Sequence, residues 1–224
     1  MNNELLLNEL INIVTIEKNG FKCLDPIKYD ALIEKVKIEI AAEENKDATT
    51  KGRINFVNRY IDKMSEKRPI LKYYDDTQFT GFKAFTDSFM MVLLNEKDAA
   101  GLQWKNISEY IEKNPDAKYP ELKRIVNFDF ETLPNKITLK VNDILNDIKA
   151  AGKPKNKYFD AGIIYKYNNN DKIGFSSQLM KAFLTFMNCS SKDEITLYFK
   201  NNVTPAFMKN KNGSIGLILP IRLD

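Results

Sequence analysis

Three times along this chain, one segment of helical period is joined to short runs of period two. Residues 53–67 place Ile54, Val57, Ile61 and Met64 on one helical face, and strands are predicted at 70–74 and within 82–94. Residues 137–167 pair strands at Ile137–Leu139 and Phe159–Tyr167 with a helix that buries Ile144, Leu145 and Ile148. Residues 173–223 set a strand at Ile173–Phe175 before a helix carrying Met180, Phe183, Leu184 and Met187. Strands follow at 195–199, 206–208 and 215–219. Single helices punctuating runs of strands exclude a parallel α/β sheet and predict an α+β fold with antiparallel strands.

Local signals place the boundaries. Arg68-Pro69 stops the first helix, Asn142 is the expected cap of the second, and Gly152 with Pro154 ends it. Ser176 or Ser177 caps the third, and Asn212-Gly213 is a hairpin turn. Residues 4–41 read as a distorted fourth copy: a helix over 4–17, a second from Pro26, and alternation at Val36, Ile38 and Ile40. Pro115 and Pro120 bracket a linker, which divides the chain into 1–117, with its extra helical start, and 118–224.

Composition removes whole classes of chemistry. Among 224 residues there is no histidine, so no imidazole can serve as acid, base or metal ligand. The two cysteines, Cys23 and Cys189, stand outside any ligand motif, and no cofactor or metal is expected. No apolar run approaches the roughly 18 residues of a membrane span. The N-terminal leucines, interrupted by Asn8, Glu9 and Asn12, do not read as a secretory signal, so the expected location is cytoplasmic. Charge is uneven: residues 1–48 hold ten acids and six bases, leaving 28 bases against 20 acids in the rest. A basic body suits a polyanionic partner.

Three stretches carry a family likeness. The chain closes on Leu217-Ile218-Leu219-Pro220-Ile221-Arg222-Leu223, an apolar strand broken by proline. Tyr119-Pro120-Glu121-Leu122-Lys123-Arg124-Ile125-Val126 forms the linker. Arg68-Pro69-Ile70-Leu71 is followed by Phe82-Lys83-Ala84-Phe85-Thr86-Asp87. Together, in their order along the chain, they resemble the bacterial DNA sliding clamp family, the beta subunit of DNA polymerase III. The chain departs from that pattern at Asn127, where the family has proline, and over residues 1–48.

The resemblance implies a non-catalytic processivity factor of DNA replication. It encircles or binds duplex DNA without sequence preference and tethers polymerase and clamp-loader peptides. It implies a peptide pocket lined by Val126, Leu217, Leu219, Pro220, Ile221 and Leu223, with Arg222 at its rim. Counting two domains against a six-domain ring, a homotrimer is expected. Arg59, Lys63 and Lys67, four apart on the first helix, with Lys149 and Lys153 at the end of the second, are the expected phosphate contacts.

Two alternatives stay open. A clamp-like decoy or adaptor would bind replication proteins without encircling DNA. A carboxylate-metal 3'-5' exonuclease is the other: Asp129-Phe130-Glu131, Asn156 to Asp160, and Tyr167 with Asp171 resemble the three metal motifs of proofreading exonucleases. Their spacing argues against it, because Asp160 and Asp171 flank a single strand.

Overall fold

The computed structural model describes residues 48–66, 68–74, 79, 81–116, 121–126, 128–152, 161–168 and 171–223. The readings made for residues 1–47, for Asp75-Asp76 and for 153–160 lie outside them. The described elements, in order, are α1 (Ala48–Ser65), a 3-10 turn (Pro69–Lys72), β1 (Tyr73–Tyr74), β2 (Phe82–Thr86), β3 (Met90–Asn95), α2 (Glu96–Ala99), β4 (Lys105–Asn106), α3 (Ser108–Lys113) and α4 (Lys123–Val126). A second 3-10 turn (Phe130–Thr132) leads to β5 (Asn135–Lys140), α5 (Val141–Ala151), β6 (Gly162–Tyr167), β7 (Asp171–Ser176), α6 (Ser177–Phe186), β8 (Glu194–Phe199), β9 (Ala206–Lys209) and β10 (Ile215–Ile218). The protein is α+β with antiparallel main sheets, as its periodicity predicted.

The chain divides into two compact units, residues 1–58 with 100–103, and 59–99 with 104–224. In the first, the Asn58 side chain accepts from the Gln103 backbone N–H at 3.0 Å. The second holds a six-stranded sheet of order β2-β3-β10-β9-β8-β5, antiparallel at every pairing. It combines strands from both sides of the linker, and β10 lies at its centre, paired to β3 and β9. A separate hairpin pairs β6 with β7. None of the described helices is long and apolar enough to cross a membrane.

Two local expectations are corrected. Residues 70–74 are not one strand. Pro69 opens a 3-10 turn closed by Leu71 N–H to Arg68 O at 3.0 Å, and only Tyr73–Tyr74 pairs, in parallel, with Lys105–Asn106. Proline presets the helical φ at a first turn, which outweighs the extended preference of Ile70. Asn142 does not cap α5. The strand β5 runs straight into the helix, whose Val141 N–H donates to Asp193 O at 2.9 Å, so the capping need is met by another loop. Ser176 does cap α6, accepting from Leu179 N–H at 3.1 Å.

The sheet is covered on both faces. On one, α6 packs against β3 and β10. Phe186 stacks on Phe85 at 4.9 Å between centroids, and Tyr60 meets Phe186 edge-on at 5.6 Å. The helix sits close because Gly216 has no side chain. A Cβ there would lie 2.6 Å from Phe183 Cε2 and 2.7 Å from Met187 Sδ. Gly216→Ala is therefore expected to cost about 2 kcal/mol by overpacking, read as a lower urea midpoint with unchanged m-value.

Asp98, fully buried on α2, ties the α6–β8 loop to the β9–β10 turn. Its carboxylate accepts from Asn210 Nδ2 at 2.7 Å, Ser214 Oγ at 2.6 Å, Asn188 Nδ2 at 2.9 Å and Asn212 Nδ2 at 2.8 Å. Burial opposes its ionisation, but these donors outweigh it and hold the carboxyl below the ordinary carboxylate range.

Candidate partner-binding face

The other face of the sheet is covered by loop and linker rather than by a long helix. Strand alternation points Ala84, Met91, Leu93, Phe207 and Leu217 to this side, where Leu122 and Phe130 close over them. Phe130 stacks on Phe207 at 5.6 Å, and Phe128 meets the same ring edge-on at 5.2 Å. Half-buried Phe79, Phe82, Val126, Tyr198, Ile215 and Leu219 surround this core. Ile125 and Phe128, at 42% and 46% exposure, carry the apolar surface outward on the linker side.

The β2–β3 turn supplies the third side. Thr86 Oγ1 donates to Met90 O, Asp87 Oδ1 accepts from the N–H groups of Phe89 and Met90, and Ser88 adopts a positive φ of 79°. Arg68 Nη1 donates to Ser88 Oγ at 2.7 Å. This tight turn leaves Phe89 60% exposed, while its carbonyl accepts the Leu219 N–H at 2.9 Å.

The expected pocket residues divide at Pro220. Val126, Leu217 and Leu219 converge in the cluster. Pro220 is half-buried and Arg222 is exposed. Ile221 and Leu223 instead contact the β6–β7 hairpin: Ile221 N–H donates to Gly174 O at 2.8 Å. Tyr119 and Pro120 lie outside the described residues. The face also enlists Ala84, Met91, Leu93, Leu122, Phe130 and Phe207, which sequence reading had not assigned. One signal was present: Met90–Leu94 is apolar at every position, and an antiparallel strand so composed needs both faces covered.

Among the solved structures to which the chain is similar are bacterial DNA sliding clamps. The DNA polymerase sliding clamp of Bacillus subtilis shares 16% identity over 71% of this chain and 59% of its own, with a TM-score of 0.45. The sliding clamp (DNA polymerase III subunit beta) of Bartonella birtlesii, bound to griselimycin, shares 12% over 63% and 54%, also at 0.45. The Helicobacter pylori beta clamp bound to a DNA ligase peptide shares 14% over 63% and 41%, at 0.36. This chain thus spans a little over half the length of the first two clamps. No model of a known protein family matches it, and no curated protein does.

The basic residues are partly described. Arg59 and Lys63 are exposed on α1, interleaved with exposed Asp62 and Glu66, and Lys149 is exposed in the last turn of α5. On α5 the exposed charges also include Asp143 and Asp147. Lys67 and Lys153 lie outside the described residues. Of the exonuclease-like acids, Asp129 caps the second 3-10 turn, accepting from Glu131 N–H at 3.1 Å. Tyr167 and Asp171 face each other across the hairpin. Among the described residues no three metal-ligating side chains of the His, Cys, Asp and Glu types cluster to hold a metal. A small open cleft of about 90 Å³ lies elsewhere, between Cys189, Asp193, Lys209 and Lys211.

Proposed function

We propose that this chain is a clamp-like accessory factor of DNA replication that docks partner peptides on the face built by β3, β10 and the linker. One observation carries the reading. The three stretches that resemble the clamp family are far apart in sequence, yet Met91, Val126, Leu217 and Leu219 come from them or their continuation and meet in one apolar cluster with exposed aromatic margins. Apolar anchors inserted beside such a cluster contribute most of a peptide's affinity. Tethering then raises the local concentration of an attached polymerase without chemistry by the clamp itself. No catalytic residue is assigned.

The test is fluorescence polarisation with a labelled DNA ligase peptide, and competition by griselimycin. Micromolar binding that griselimycin displaces is expected; neither ligand binding at about 100 μM would remove the reading. Light scattering then separates a homotrimeric ring of two-domain chains, divided at 117/118, from a monomer.

Duplex DNA is the proposed second partner, held through Arg59, Lys63 and Lys149, with Lys67 and Lys153 assigned from sequence. Arg59→Glu with Lys63→Glu should lower the salt slope of weak duplex binding by roughly two. An unchanged slope would mark this stripe as solvated surface. Asp143 and Asp147 on α5 favour the adaptor reading, in which peptides dock and no duplex is encircled. A processivity assay discriminates: a clamp lengthens polymerase products, and an adaptor shortens them.

A further inference from the structure

We propose that Ile221 and Leu223 are a clasp rather than part of the docking face: seated over Gly162 and Gly174 of the hairpin, they position Leu217–Leu219 as a wall of that face. The inference rests on the reading that this face holds a partner peptide.

The geometry is specific. After Leu219 the chain has lost its strand pairing, and Pro220 has no N–H to give. The next backbone bond reaches a different sheet: Ile221 N–H to Gly174 O, forming a single antiparallel bridge to β7. Ile221 and Leu223 then turn toward the hairpin, and Arg222 between them is exposed. Both side chains land on glycine. A Cβ on Gly162 would lie 2.7 Å from Ile221 Cδ1. One on Gly174 would lie 2.8 Å from Leu223 Cδ2 and 3.0 Å from Ile221 Cγ1.

Neither glycine is needed for backbone conformation, since the positive-φ glycines are Gly81, Gly101, Gly152 and Gly213. Glycine within a strand weakens it and marks close approach by another segment. Here the approaching segment is the tail. It is thus fixed at two points: Leu219 N–H on Phe89 O, beside the docking face, and Ile221 on the hairpin. Proline between them makes the connection short and stiff, so loosening the second point releases the first. Ile221 and Leu223 are positioning residues, acting on a peptide through Leu219.

The experiment compares wild type with Gly174→Val, a side chain that a strand accepts, and with the milder Leu223→Ala. Amide hydrogen exchange is followed along the chain, and affinity is measured for the same labelled ligase peptide. In both variants the Leu219 and Ile221 amides should lose protection by about tenfold or more, while the β8 and β9 amides keep theirs. Peptide affinity should fall by about tenfold. A merely structural role would lower protection throughout. Unchanged protection of the tail amides in both variants overturns the clasp. Tail amides that open while affinity holds overturn its positioning role. Should wild type bind no peptide, the docking reading falls, and selective opening of the tail amides still decides whether the clasp exists.

Discussion

Asp98→Ala should lower the unfolding free energy by about 4 kcal/mol, the largest effect expected of any single substitution outside the aromatic core. The side chain itself is small, but its loss leaves the Asn188 and Asn212 amides and the Ser214 hydroxyl without this acceptor, and Asn210 Nδ2 with Met187 O alone. Ser214 is fully buried, so water cannot take the place of the carboxylate without opening the turn. Asp98→Asn keeps the shape and removes the charge, and should cost about 2 kcal/mol. Urea unfolding near neutral pH measures both. The same pair gives a pH test. The folded carboxyl is more acidic than the unfolded one. Its stabilisation is therefore complete above the unfolded value of about 3.9 and is lost as pH falls through the folded value. The gap between wild type and Asp98→Asn should be flat down to about pH 4.5 and narrow below about pH 4. A gap that is flat through that range would mean the donors do not favour the ionised form.

Leu219→Ala should weaken the ligase peptide by about 2 kcal/mol, roughly thirtyfold, with little change in the fold. Leu219 is half-buried against the same cluster on which Val126 packs, and its own structural bond, to Phe89 O, is made by the backbone and survives truncation. Val126→Ala on the linker side should weaken binding in the same direction. Val203→Ala is the control. It is 61% exposed, but at the β8–β9 turn, and should bind as wild type does. Equal binding by Leu219→Ala and wild type would displace the site from this face.

The sequence showed the class of fold because each helix stripe and each alternating run answers to one local period. Ile54, Val57 and Ile61, and likewise Met180, Phe183, Leu184 and Met187, are buried as their spacing predicted. The site was legible only in part. Leu217, in β10, and Leu219, one residue past its end, follow the alternation of that strand to one face. Beyond Pro220 alternation no longer applies, and the destination of Ile221 is set by two glycines far away in sequence. Phe130 and Phe207 were invisible for a related reason. Their ring stacking joins a 3-10 turn to a strand 77 residues later, and no short-range pattern encodes such a contact. Asn142 illustrates a third limit: a sound capping residue goes unused when a neighbouring carbonyl arrives first.

The central place of β10 has a consequence for how the molecule is made. Its partner β3 lies about 120 residues earlier, so the pairing closes a very long loop and forms late. Until then β3 offers a bare edge, apolar from Met90 to Leu94, to any neighbouring chain. During synthesis that edge emerges from the ribosome well before its mate. Yield should depend on chaperone supply and on slow, cool expression more than on the final stability of the sheet.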